Sequence, residues 1–436
     1  MMYLPREESR CGWFDALESP VLPKQLSGKQ TADYVVIGAG FCGLAMVRRL
    51  AEHKPQARII LIDAQRVAEG SSGRNSGFVI DLPHKFSLEH PDLSYKRRIL
   101  SLNKTAIKQL EQLIEKYNID CQWSAAGKYQ AAVGQRGLDN LVHFEHLLQA
   151  IDEPYQRLDK TSFANVVGSS YYSGAIYTPG CYLMQPAALV RGLARSLPDN
   201  VELLENSPVN KIERKAKIWR LSTSQGNIET PTVLLATSIF TREFGYLKHR
   251  LVPVMTFASW TRPLDDREMA NHNGQINWGL TPADHAGTTL RMTKDRRILI
   301  RNSYHYAPKY SAGNKTLRHV QYQHQQALRR RYPQFSDVAL THTWGGVYAI
   351  SRNFTNFFGR LDDGIYASAC DNGVGVAWGT IAGTLLADLV VGERTTMLDD
   401  IQAITGMPSL NPPEPFMGTA VRVRMQLAKW LSRNEI

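Results

Sequence analysis

Three glycines and one carboxylate carry the most chemistry in their spacing. Gly38, Gly40 and Gly43 form a Gly-x-Gly-x-x-Gly turn, and Asp63 stands 25 residues beyond Gly38. In such a turn the first glycine permits the tight bend, the second lets the backbone approach a pyrophosphate, and the third lets a helix pack on a strand. Phe41 and Cys42 line the same turn. A helix starting there aims N–H groups and the positive end of its dipole at phosphates. A carboxylate at the end of the following strand can accept hydrogen bonds from a ribose. The spacing signals a dinucleotide and does not by itself separate NAD from FAD.

The next segment bears on that choice. Residues 69–78 read EGSSGRNSGF. Small residues and glycines let a chain pass close to a flat ligand, and Arg74 is expected to neutralise pyrophosphate charge. Far down the chain, Asp371-Asn372-Gly373-Val374-Gly375 forms another turn ahead of an apolar helical stretch through Leu385, Leu386 and Leu389.

These residues need elements to hold them. Tyr34-Val35-Val36-Ile37 is an apolar run expected to be a buried parallel strand. Leu44, Val47 and Leu50 have helical spacing up to about His53, and Pro55 stops that helix. Ile59 to Ile62 is the second strand, ending at Asp63. Helical spacing returns over about 94–118, and a β-rich middle follows, with turns at Gly127, Gly134 and Gly174. Gln185-Pro186 opens another helix. Val201–Leu204 and Val233–Leu235 are expected to return to the first sheet. Short alternating runs fill about 250–310, residues 315–331 are helical, and Gly364–Ala367 is a strand. The expected fold is α/β, with a Rossmann-like FAD-binding domain interleaved with an α+β substrate domain on a mostly antiparallel sheet. The expected boundaries are an N-terminal arm over 1–30, a nucleotide-binding domain over 31–84, 185–245 and 353–395, a substrate domain over 85–184 and 246–352, and a C-terminal tail and helix over 396–436.

Composition narrows the class. Of 436 residues, 43% are hydrophobic and 21% charged, which is ordinary for a globular protein. No run approaches the length of a membrane span, and the N-terminus lacks a secretory signal pattern. The five cysteines are scattered and show no CxxC spacing, which argues against a disulfide framework or a zinc site and suits a reducing, cytoplasmic compartment. The formal charge is +11. It favours anionic cofactors or substrates, and no nucleic-acid partner is expected, because the densest basic run, Arg329-Arg330-Arg331, is expected to be a solvated helix face. The stretch Val421–Leu431 is amphipathic and basic, and is expected to pack on its own protein rather than on a membrane surface.

Taken in order, GAGFCG, IDA and GSSGRNSGF resemble the D-amino-acid-oxidase-type superfamily of FAD-dependent oxidoreductases. The pattern is most similar to the branch containing gamma-glutamylputrescine oxidoreductase. Gln185-Pro186, Val209, Leu235-Ala236-Thr237-Ser238, Trp344-Gly345-Gly346, Gly359-Arg360-Leu361 and the Asn372–Ala377 turn extend the resemblance over about residues 13–430. It implies non-covalent FAD. Gly38, Gly40, Phe41, Cys42 and Gly43 would cradle the pyrophosphate, and Asp63 with Ala64 would meet the adenosine ribose. Ser72, Gly73, Arg74, Asn75 and Ser76 would run beside pyrophosphate and flavin, and Val209 would meet adenine. Ala236 and Thr237 would sit near the ribityl chain, Gly346 would lie in the site, and Asn372, Gly373, Val374 and Gly375 would face the flavin pyrimidine edge.

The implied activity is oxidation of a C–N bond in an amine or amino-acid derivative, by hydride transfer to flavin N5, giving an imine that hydrolyses. Oxygen or an electron carrier would reoxidise the flavin. The alternatives are an electron-transfer or non-catalytic flavoprotein subunit and an NADPH-dependent flavin monooxygenase. Pocket candidates are His84, Tyr304, Trp344 and Tyr348, with His305 and Tyr306 beside them. Many amino-acid oxidases of the superfamily carry Arg-Pro where this chain has Gly346-Val347, which disfavours a simple α-amino acid unless Arg301 or Arg352 substitutes. Cys370 is expected to be unlinked to flavin.

Overall fold

The computed structural model describes residues 2–6, 9–17, 22–82, 92–284 and 286–436. The apolar runs around the glycine turn form a six-stranded sheet. Its order is Phe357–Asp362, Ile365–Ala369, Thr232–Leu235, Tyr34–Ile37, Ile59–Ile62, Val201–Leu204. All neighbours are parallel except the edge pair Phe357–Asp362 with Ile365–Ala369. The central strands Tyr34–Ile37 and Ile59–Ile62 are near-continuous apolar runs because both faces of the sheet are covered there. Val36, Ile59, Leu61 and Leu234 face the helices Phe41–His53, Leu93–Lys116 and Ala377–Val391. The alternate residues Val35, Ile37, Ile60, Ile62, Val233 and Leu235 share a core with Trp219, Leu221 and Ile228. The latter belong to a small sheet of Gly28–Thr31, Gly226–Thr230, Ile218–Ser222 and Lys211–Lys215. Burying each such side chain contributes about 1.5–3 kcal/mol relative to exposure.

A second, eight-stranded sheet gathers segments from both sides of the Pro186–Arg195 helix. Leu251–Thr261 lies between Leu340–Ser351 and Ile298–Tyr306, followed by Thr289–Met292, Trp278–Pro282, Lys128–Ala132, Gly174–Thr178 and Gln156–Asp159. Only Trp278–Pro282 and Lys128–Ala132 pair in parallel. The long strand Leu251–Thr261 is almost wholly buried, with Thr256 alone half-buried.

Two expectations need correction here. The middle of the chain is not simply β-rich: Gly134–Ile151 and Lys160–Val167 are helices. Leu141, Leu148 and Ile151 recur at helical spacing and pack with Leu100 and Ile176. The glycine punctuation masked that period. The basic run is not a solvated face either. Arg329 and Arg330 are exposed, but Arg331 is buried. Its guanidinium donates to the carbonyls of Ala327 and Glu435 and to the Tyr172 hydroxyl, since a buried cation must find acceptors.

The N-terminal arm is clamped to the body. Trp13 is buried edge-on against Trp260, with ring centroids 5.0 Å apart. Its Nε1 donates to the Asn75 carbonyl at 2.8 Å, and Gln185 Nε2 donates to the Trp13 carbonyl at 2.7 Å. At the other end, the helix Phe416–Leu431 lies against the eight-stranded sheet through Met417, Val421 and Met425.

Candidate functional site

The glycine turn sits at the C-terminal end of Tyr34–Ile37, where parallel sheets bind ligands. Gly38 has φ +105°, and a Cβ there would lie 2.6 Å from the Ala236 carbonyl oxygen. A methyl on Gly43 would overlap the Gly38 carbonyl oxygen, so the helix can pack this close only with glycine there. The helix Phe41–His53 has Gly40 as its N-cap and no side-chain cap. Ser72 Oγ approaches the turn and accepts from the Phe41 N–H at 3.3 Å.

Asp63 ends the next strand. Its Oδ2 accepts the Ala39 N–H at 2.7 Å and its Oδ1 the Gln65 N–H at 2.9 Å. Burial, with Glu205 and Glu69 nearby, pushes its carboxyl up to about 6 against the pull of those two N–H groups. Ala64 is half-buried beside it. The segment leading to Val209 runs alongside, with the Ser207 N–H donating to the Asp63 carbonyl at 2.8 Å, and Val209 is buried. Ala236 is tied to the turn through its N–H to the Ile37 carbonyl at 2.9 Å. The Thr237 hydroxyl instead pairs with Thr241 at 2.9 Å. A helix N-terminus whose N-cap is glycine, a cradle closed to any Cβ, and a carboxylate with spare lone pairs form a set of donors and acceptors that fits a dinucleotide.

The segment Ser71–Gly77 joins this site to the second sheet. Ser71–Arg74 is one helical turn, with the Ser71 hydroxyl on the Val347 carbonyl. Arg74 is buried, and its guanidinium donates to the carbonyls of Gly345 at 2.7 Å and Ser9 at 2.9 Å. It thus straps the glycine-rich segment to the strand carrying Gly346, where an added Cβ would meet only the Arg74 Cβ, at 3.9 Å. Gly73 is pressed against the Ala68 carbonyl. The Asn75 side chain closes a local turn, donating to Ser72 O and accepting from Gly77 N. The carbonyls of Ser76, Gly77 and Met184 all accept from buried Arg291, which sequence reasoning missed. A lone arginine inside an apolar strand gives no local signal. Burial lowers its guanidinium to about 10.

The third turn precedes the helix Ala377–Val391. Cys370, Asn372 and Gly373 all have positive φ, at 68°, 52° and 89°, and such residues cluster at functional sites. Asn372 holds the turn by accepting from Ser351 N at 3.1 Å and donating to Phe354 O at 2.9 Å. The Asp371 carboxylate, also missed, accepts the Gly373 N–H at 3.1 Å and lies against Gly375. The available signal was an acidic side chain two residues before a glycine, a pattern that bonds its own backbone. Burial pushes the Asp371 carboxyl up. Val374 packs against the cluster of Phe78, Ile80, Cys181 and Leu183. The following helix touches Cys42 where Gly379 and Gly383 pass it, so the first and third turns lie side by side. Cys42 and Cys370 are free thiols, both pushed up to about 12, chiefly by burial.

Of the pocket candidates, His84 lies outside the described residues. Trp344 is fully buried, with Nε1 donating to the Arg74 carbonyl at 2.9 Å and its ring against Trp260. It packs as a core residue in this structure. Tyr348 is half-buried, and its ring would lie 3.2 Å from a Cβ on Gly373. Tyr304 and Tyr306, alternate residues of one strand, share its cluster, whereas His305 turns to Phe257. Arg301 donates to the Tyr304 hydroxyl at 2.5 Å and lies 4.9 Å over that ring. Burial pushes the Tyr348 hydroxyl up, with Tyr304 and Asp371 adding to that and Arg301 opposing it. The tyrosines, Arg301 and the third turn therefore converge. The other arginine considered for this role, Arg352, is exposed.

Comparison with known proteins agrees with this geometry. The chain is 26% identical to a probable oxidoreductase OrdL of Haemophilus influenzae, over 98% of each chain. It is 24% identical to the gamma-glutamylputrescine oxidoreductase of Escherichia coli, over 83% of this chain and 84% of the relative. The fold is similar to that of a glycine oxidase from Geobacillus kaustophilus, with a TM-score of 0.71 at 19% identity, covering 84% of this chain and 96% of that one. The family profile DAO, described as FAD dependent oxidoreductase, matches residues 33–389. With a glycine turn, a carboxylate that ends the next strand and this match over most of its length, the chain belongs to the DAO family of FAD-dependent oxidoreductases.

Proposed function

We propose that this protein oxidises the C–N bond of an amine, or of an amino acid whose carboxylate lies away from the reacting carbon. The observation that carries this is the convergence of Arg301, Tyr304 and Tyr348 beside the Gly373 turn. The name of the relative that acts on gamma-glutamylputrescine supports the substrate class.

FAD is held without a covalent bond. Residues 31–84, 185–245 and 353–395 form its domain, with Gly38, Gly40 and Gly43 at the pyrophosphate and Asp63 at the ribose. When bound, it supplies the acceptor for the electron pair that leaves the substrate carbon. The chain does the rest. Tyr304, Tyr306 and Tyr348 provide an aromatic wall for the alkyl body of the substrate. Position 346 is glycine, so the strand offers no cation there, and Arg301 is the group that can pair a distal carboxylate. The buried Tyr348 hydroxyl stays protonated and can donate a hydrogen bond to substrate. Water then hydrolyses the imine to a carbonyl compound and a free amine.

The test is anaerobic bleaching of the flavin band by matched substrates. Putrescine and its gamma-glutamyl conjugate should bleach it faster than glycine, sarcosine or D-alanine. Arg301→Met should raise KM for the acidic conjugate by roughly tenfold or more, as expected when a charge-assisted pair is lost, and leave putrescine nearly unchanged. Fastest turnover of the small α-amino acids would refute the substrate class.

A further inference from the structure

We propose that the C-terminal helix Phe416–Leu431 is a docking surface for an anionic lipid bilayer. The helix has two apolar faces. Met417, Val421 and Met425 point inward to Val252, Val254 and the tyrosines Tyr304, Tyr306 and Tyr348. Phe416, Val423, Leu427 and Trp430 follow one another at intervals of seven, four and three residues, which places them on a single outward stripe. They are 68%, 63%, 54% and 61% exposed. An outward row of four large apolar side chains is not what a surface helix facing only water requires.

The charge around the stripe identifies what covers it. Arg422, Arg424, Lys429 and Arg433 are the charged residues of 416–434, and there is no acidic residue in that span. On the helical wheel Arg424 flanks the stripe on one side and Arg433 on the other, while Arg422 turns to the inward Tyr306 ring. Arg433 also lies 5.4 Å over the Trp430 ring. Apolar side chains between basic ones, with a tryptophan among them, match the interface of a bilayer carrying acidic headgroups. A second copy fits less well. A two-fold contact through this stripe would set one basic helix against its twin.

No helix among the described residues is long and apolar enough to cross a membrane, so the contact is peripheral. Through the inward face, it would set the lipid surface one helix thickness from the pocket tyrosines.

The experiment is flotation of the FAD-loaded full chain with vesicles. Phosphatidylcholine alone is compared with phosphatidylcholine mixed with phosphatidylglycerol. The protein should float with the anionic vesicles at low salt and not with the neutral ones, and high salt should release it. Leu427→Ser combined with Trp430→Ser should weaken flotation about tenfold or more while FAD content and turnover hold. Arg424→Glu should weaken it at low salt, and Tyr322→Ser, an exposed tyrosine on another helix, should not. Absence of flotation from anionic vesicles overturns the proposal. So does a dimer in solution that the Leu427/Trp430 double substitution dissociates, which would assign the stripe to a second copy.

Discussion

Asp63 gives the sharpest test of the cofactor geometry. Its two oxygens already accept the Ala39 and Gln65 N–H groups at 2.7 and 2.9 Å. Each carboxylate oxygen can accept two hydrogen bonds, so acceptor positions remain for ribose hydroxyls. Hydrogen bonds to a charged group contribute about 1.5–3 kcal/mol. If the ribose bonds act as a unit, Asp63→Ala should weaken FAD binding by roughly 10- to 150-fold. It also strands two backbone N–H groups at a half-buried site, which should cost the apoprotein about 1–2 kcal/mol. The pH dependence has a definite sign. The free carboxyl titrates at about 6, and ribose donors favour its ionised form, so FAD binding lowers that value. Wild-type affinity should therefore be level above about pH 7 and fall as pH drops below about 6. The Asp63→Ala protein should lack that slope. FAD titration of apoprotein followed by fluorescence, across this range, measures both effects. An unchanged Kd in Asp63→Ala at pH 8, or the same slope in the variant, would refute the assignment.

Other perturbations are equally concrete. Gly43→Ala forces a methyl into the Gly38 carbonyl; it should cost about 1–3 kcal/mol and yield protein depleted of FAD, checked by melting and by absorbance after purification. Arg291→Met leaves the carbonyls of Ser76, Gly77 and Met184 without their shared donor; the loss, on the order of 3 kcal/mol, should appear as a lower denaturation midpoint, and an unchanged midpoint would deny Arg291 this role. Acid precipitation should leave FAD in the supernatant, since the buried Cys42 and Cys370 remain protonated thiols; a yellow pellet would overturn non-covalent binding.

Much of the nucleotide site was legible in sequence because its signals are local. A strand of four apolar residues, a glycine turn, a helix with period 3.6 and a second apolar strand ending in Asp63 lie within one short stretch. Each part is specified by its own residue types, and Tyr34–Ile37 and Ile59–Ile62 form as that pattern requires. The Gly373 turn was visible for the same reason. What only tertiary structure decided depends on contacts between residues far apart in the chain. Trp344 has the composition of a pocket wall, but Trp260 and the Arg74 carbonyl bury it in the core. Arg331 reads as one of three solvated cations until Tyr172 and Glu435 are brought to it. Arg74 was expected at the pyrophosphate, yet its guanidinium is engaged by carbonyls of Gly345 and Ser9. The C-terminal helix is amphipathic in sequence, but the pattern does not say that both of its faces are apolar for different reasons. One is covered by Tyr304, Tyr306 and Tyr348 and the other faces outward. Local propensity and periodicity are written residue by residue, whereas burial is a property of whichever distant side chains the fold places alongside.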